Sequence, residues 1–98
     1  MKEITVEELA EKLAAYEEVN LIDVREDEEV AEGKIPEAVH IPLGSLEAEL
    51  GKLNQDAHYL IICRSGGRSG KACQMMEVNG YDASNVVGGM LEWTGETE

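Results

Sequence analysis

An α/β fold, with a mostly parallel sheet covered by helices on both faces, is what the sequence predicts, and three observations predict it. Two short runs, Leu21-Ile22-Asp23-Val24 and Tyr59-Leu60-Ile61-Ile62, are apolar at consecutive positions rather than alternating, as strands buried on both faces are. Segments with apolar residues at helical spacing lie between them, and parallel strands need such crossovers. Pro36 and Pro42 push Ile35 and Ile41 into extended geometry and bracket a third strand. The chain of 98 residues is long enough for a single domain, spanning 1–98, and too short for two cores.

The elements follow in order. Thr5 is read as a helix N-cap, with Glu8 three residues on closing a capping box and Ile4 stapling onto Leu9. Leu9, Leu13 and Tyr16 then share a face, and Glu17 and Glu18 sit at the end unfavourable for negative charge, so this helix is expected to stop by Val19. Residues Glu26 to Glu32 read as a short helical turn anchored by Val30, its carboxylates forming a solvated face. Ser45 is expected to cap a helix that presents Leu46, Leu50 and Leu53, and Asn54-Gln55-Asp56 is a turn into the strand Tyr59–Ile62. The next helix brings Ser69, Ala72, Cys73 and Met76 to one face and ends at a left-handed Gly80. Val86-Val87 is the last strand, and residues 94–98 are expected to fray.

Composition excludes several classes. A formal charge of −13 leaves no surface for a nucleic-acid polyanion. Fifteen of the twenty-one carboxylates fall in residues 1–50, whereas Arg64, Arg68 and Lys71, three of the eight Lys and Arg, cluster together. A small anion would therefore meet repulsion at long range and attraction at that cluster, with salt relieving the former. Two cysteines with nine residues between them match neither a redox pair nor a zinc set, so no metal or cofactor is expected. The start Met-Lys-Glu carries no apolar leader and no run long enough to span a bilayer, so the expectation is a cytoplasmic protein with reduced thiols and no membrane partner. The stretch Gly66-Gly67-Arg68-Ser69-Gly70-Lys71 is not a phosphate-binding P-loop, because Ser65 and Ala72 stand where that motif needs a glycine and a hydroxyl. His40 and His58 read as strand-end residues with satisfied rings.

The chemistry concentrates in Cys63-Arg64-Ser65-Gly66-Gly67-Arg68-Ser69, a loop between the most apolar strand and a helix. A cysteine over a helix N-terminus meets unpaired N–H groups and the positive end of the helix dipole. With Arg64 and Arg68 flanking it, Cys63 is expected to have a depressed pKa and to stand partly as the nucleophilic thiolate. The glycines let the backbone turn its amides inward. Cys73, ten positions along, reads as core: it lies more than two helical turns away and cannot bridge to Cys63.

The spacing Cys63-x-x-x-x-Arg68-Ser69 resembles the active-site loop of rhodanese-like sulfurtransferase domains. Asp23-Val24-Arg25 is similar to that family's Asp-x-Arg near the second strand, and Gly88-Gly89-Met90-Leu91-Glu92-Trp93 to its closing signature. The segment Gly33 to Leu43 resembles the family's first signature, departing from it at Lys34, which replaces a histidine, at Glu37, which replaces a glycine, and at Val30 nearby, which holds a place often aromatic. The resemblance runs from Thr5 to Trp93. It implies a five-stranded, mostly parallel sheet and a two-step transfer in which Cys63 takes sulfane sulfur from thiosulfate and passes it to a thiol or cyanide. In that reading Arg64, Ser65, Gly66, Gly67 and Arg68 bind the donor and the persulfide, Arg64 favours thiosulfate over mercaptopyruvate, and Asp23, Arg25 and Ser69 give structural support. A sulfur carrier or regulatory module serving a protein partner is the alternative. Cysteine phosphatases also use a Cys-loop-Arg cradle, but with five intervening residues where this chain has four, and no general acid is identifiable here.

Overall fold

A computed structural model describes all residues, 1–98. Its elements are β1 (Lys2–Thr5), α1 (Val6–Ala14), β2 (Asn20–Asp23), α2 (Asp27–Ala31), β3 (Val39–His40), α3 (Leu43–Glu49), β4 (His58–Ile62), α4 (Gly67–Val78), β5 (Asp82–Val87) and α5 (Gly89–Glu92). The five strands form one sheet in the order β1-β5-β4-β2-β3, and every pairing is parallel. Alternate residues of the central strands feed two cores. Ile22, Tyr59, Ile61 and Ala83 pack with Leu46, Ala72, Cys73 and Met76 from α3 and α4. Leu21, Leu60, Ile62 and Val86 pack on the other face with Val6 and Leu9 of α1. The consecutive apolar runs are therefore two faces of strands covered on both sides.

Local chemistry explains most boundaries. The capping box at α1 is complete: the Glu8 N–H donates to Thr5 Oγ1 at 3.0 Å and the Thr5 N–H donates to Glu8 Oε1 at 3.0 Å. At the end of α4, Gly80 takes φ +87°, the left-handed stop anticipated for it. Lys34 spans the bend before β3 by donating to the carbonyls of Ile35, Pro36 and Ala38 at 3.1, 3.3 and 2.9 Å.

Several expectations are corrected. Tyr16 does not share the apolar face of α1, because the helix ends at Ala14 and Tyr16 turns out to solvent with φ +56°. Ser45 lies inside α3 rather than capping it: Pro42 is the cap, and its carbonyl accepts the Ser45 N–H at 2.8 Å. The strand β1 and the start of β5 were not read as strands from the sequence, and they exist because β1 pairs with Ser84–Val87 of β5 and the start of β5, from Asp82, pairs with β4. The C-terminal residues return to the body instead of fraying. Lys34 and Glu98 exchange backbone hydrogen bonds at 2.9 and 3.3 Å, and Lys34 Nζ meets Glu98 Oε1 at 2.9 Å.

Candidate active site

Cys63 follows directly on the end of β4 and is held from below. The Met90 N–H donates to the Cys63 carbonyl and the Leu91 N–H to the Arg64 carbonyl, each at 2.9 Å. Carbonyl and N–H of one trans peptide point in opposite directions, so drawing these oxygens into α5 turns the Arg64 and Ser65 amides to the other side of the loop. Gly89 makes the close approach possible: a Cβ there would lie 2.5 Å from the Cys63 oxygen, and its φ of +56° is one that side chains rarely adopt. Gly66, with φ +111°, then caps α4 and aims its N–H at Cys63 Sγ, 3.0 Å away. Ser69 Oγ, one turn into α4, lies 3.2 Å from the same sulfur.

The sulfur sits at the floor of this cradle, with Cys63 1% exposed, while Arg64, Ser65 and Gly67 form an exposed rim. Burial pushes the Cys63 pKa up, but the Ser69 hydroxyl and the N–H groups of Ser69, Gly66 and Ser65 outweigh it, and the thiol lies below its ordinary value. The N–H groups expected at this helix start do part of this and the Ser69 hydroxyl does the rest, while neither flanking arginine is among the main causes.

Arg68 does not turn into the cradle. Its guanidinium forks onto Glu29 of α2, Nη1 to Oε1 at 2.6 Å and Nη2 to Oε2 at 2.7 Å. The bond to Arg68 holds the Glu29 carboxyl at about 2, and the same bond raises the Arg68 pKa. Arg64 makes no ion pair and is the loop's free cation. Asp23 and Arg25 form a buried pair at the end of β2, with Nε and Nη2 of Arg25 3.0 and 2.8 Å from Asp23 Oδ2. The same guanidinium donates to the carbonyls of Glu29 and Gly33 at 3.2 and 2.8 Å, fastening α2, and with it Glu29, beneath α4.

Two residues of this arrangement escaped the sequence. Glu29 was hidden in an acidic run that reads as a solvated face; its only local signal is Glu26 three residues before, whose N–H it accepts at 3.0 Å. Asn85 of β5 is buried against the loop, accepting from Ser69 Oγ at 2.5 Å and donating to the Gly66 carbonyl at 3.1 Å. Cys73 is wholly buried in the α4 core, where burial pushes its thiol up to about 12. His40 Nε2 meets the Arg25 carbonyl at 2.7 Å, and His58 lies between Asp82 at 2.6 Å and Ser84 at 3.0 Å, so both rings are satisfied. No group of three or more His, Cys, Asp or Glu could hold a metal ion, and no helix is long and apolar enough to cross a membrane. The surface cavities, 240–340 Å³ each, include no residue of loop 63–69.

Comparison with known proteins gives a consistent result. The description of the rhodanese-like domain matches residues 5–96. YtwF of Bacillus subtilis, described as a candidate sulfurtransferase, is 51% identical over 98 residues, covering 100% of this chain and 95% of that protein. YrkF of the same organism, described as a candidate sulfur carrier, is 44% identical over 97 residues; the match covers 98% of this chain but 52% of YrkF, about half its length. The crystal structure of a rhodanese-like domain protein from Staphylococcus aureus superposes with a TM-score of 0.94 at 44% identity, covering 100% of this chain and 97% of that one.

Proposed function

The chain belongs to the rhodanese-like domain family, and on that premise we propose that it is a sulfurtransferase that moves sulfane sulfur from thiosulfate to a thiophilic acceptor through a Cys63 persulfide. The observation that carries this reading is the Cys63 sulfur at the floor of an amide cradle, with the Gly66 N–H at 3.0 Å. In the first step the thiolate attacks the outer sulfur of thiosulfate. A new sulfur–sulfur bond forms, the old one breaks, and sulfite leaves with its electron pair. In the second step a nucleophile such as cyanide or a thiolate attacks the outer persulfide sulfur and returns Cys63 as thiolate.

The outer persulfide sulfur is anionic, and the amides of residues 64–68 are preorganised to receive that charge as an oxyanion hole would. Arg64, exposed and unpaired, is suited to draw a dianionic donor to the rim; its contribution should weaken as salt rises. Arg68 acts as a brace rather than a ligand, fixing the start of α4 to α2 through Glu29. Asp23 and Arg25 support that brace from below. The four residues between Cys63 and Arg68, one fewer than a cysteine phosphatase places between its cysteine and arginine, speak against phosphate-ester hydrolysis. A cytoplasmic setting belongs to the same proposal, because a nucleophilic thiolate at Cys63 is preserved in a reducing compartment.

A carrier role for a protein partner is the second reading, favoured by the 44% identity to YrkF. Purified protein should form thiocyanate from thiosulfate and cyanide, and Cys63→Ser should lose this entirely; turnover that survives the substitution overturns the assignment. Mass spectrometry after thiosulfate alone should find one added sulfur on Cys63. Slow release of that sulfur to small thiols and fast release to a protein acceptor would favour the carrier.

A further inference from the structure

The groups under the sulfur form a closed ring. Gly66 N–H donates to Cys63 Sγ at 3.0 Å, Sγ and Ser69 Oγ are 3.2 Å apart, Ser69 Oγ donates to Asn85 Oδ1 at 2.5 Å, and Asn85 Nδ2 donates to the Gly66 carbonyl at 3.1 Å. The orientation of Asn85 is set by Gly66: the opposite amide orientation would aim Oδ1 at the carbonyl oxygen. Oδ1 therefore faces Ser69. A serine hydroxyl has one proton, and Asn85 at 2.5 Å takes it in preference to a sulfur at 3.2 Å. What Ser69 then offers Cys63 is a lone pair, which a thiol S–H satisfies and a thiolate does not.

From this we infer that Asn85 is a positioning residue acting through Ser69: it holds resting Cys63 as the thiol, and the reactive thiolate forms as the Ser69 hydroxyl swings from Asn85 to the sulfur. No covalent bond changes apart from the S–H, whose proton goes to solvent; the hydroxyl rotates and one hydrogen bond is exchanged for another. The donation by Ser69 that depresses the Cys63 pKa is thus competed for by Asn85, and the depression is smaller than Ser69 and the loop amides would produce unopposed. Asn85 lies in β5 beside the loop, 6% exposed, and touches the sulfur only through Ser69 and Gly66.

Charged groups on the surrounding elements do not substitute for this control. Arg64 belongs to the exposed rim, Arg68 of α4 is engaged by Glu29 of α2, Arg25 is engaged by Asp23 at the end of β2, and Glu92 of α5 lies against Gly88 beyond the loop. The Gly70 N–H also donates to the Gly66 carbonyl, at 3.0 Å, so removing the Asn85 amide does not leave that oxygen unpaired.

The inference rests on Cys63 being the reacting group, but its test reads protonation of the free protein and stands apart from sulfur transfer. The ultraviolet absorbance of the Cys63 thiolate is followed against pH, with Cys63→Ala as the blank. Asn85→Leu should move the midpoint down and speed alkylation of Cys63 below it about fivefold, the worth of one hydrogen bond. Ser69→Ala should move the midpoint up. In the Ser69→Ala background, Asn85→Leu should have no further effect. A midpoint unchanged or raised by Asn85→Leu, or a downward shift that persists without the Ser69 hydroxyl, overturns the proposal. Should Asn85→Leu fail to fold, the wild-type protein decides: the Asn85 side-chain amide resonance should move with the midpoint of the thiolate absorbance, and an amide indifferent to that titration is equally fatal.

Discussion

Cys63 and Cys73 stand ten residues apart around the same helix, both free and both at most 1% exposed. Burial alone would make them equally inert. Cys63 nevertheless lies below its ordinary pKa, whereas Cys73 is pushed up to about 12. The difference is in what faces the sulfur. Cys63 ends a strand, where the chain must turn and its amides are left without carbonyl partners; Cys73 sits mid-helix, where every amide nearby is already spent on the i−4 carbonyl. The lowered pKa of Cys63 comes from the Ser69 hydroxyl and from unspent N–H groups, not from exposure.

The largest expected effect separates the two thiols outright. Cys63→Ser should remove thiocyanate formation, while Cys73→Ala should leave kcat within about twofold and cost stability of about 1 kcal/mol for a small core cavity. Comparable activity losses from the two substitutions would dissolve the distinction. Gly89→Ala should act nearly as strongly on Cys63 without touching Cys73, because its Cβ would meet the Cys63 and Arg64 carbonyls at 2.5 and 2.6 Å. Alkylation rates of the two thiols, resolved by peptide mass spectrometry, should then converge in a protein that remains folded by circular dichroism.

A third, intermediate effect is in the pH dependence of stability. In the unfolded chain Cys73 releases its proton near 9.0, but in the folded protein it holds the proton to about 12. Between these values the unfolded state binds fewer protons, so stability falls as pH rises, by about 1.4 kcal/mol per unit. Cys63 has the opposite sign: its lowered pKa contributes stability above the unfolded value, lost as pH falls through the folded one. Urea titrations at alkaline pH should show a steep decline that Cys73→Ala flattens; an unchanged slope in that variant would contradict the assigned burial. The smallest effect belongs to Glu29→Gln. Its ion pair with Arg68 is partly exposed, so turnover should change less than about fivefold.

The legibility of the molecule follows the range of its interactions. The capping box of α1 was readable because Thr5 and Glu8 are three residues apart. The central strands were readable because both of their faces are apolar, and Gly80 because a left-handed turn leaves few residue types to choose from. The first four residues of β5, Asp82 to Asn85, gave no such signal. Ser84 and Asn85 lie in a strand because β1 and β4 flank them, and Asn85 reaches the loop because β5 lies beside β4.

By itself, then, the sequence determined the strand-loop-helix around Cys63, the four residues between it and Arg68, and the glycines that let the loop close, since all of these act over a few bonds. Only the tertiary structure decided that Arg68 faces Glu29, thirty-nine positions away, and that Asn85 meets Ser69, sixteen positions away. Those partners are chosen by strand order and helix packing. No local propensity of Arg68 or Ser69 distinguishes one distant acceptor from another until the sheet has brought one of them within hydrogen-bonding reach.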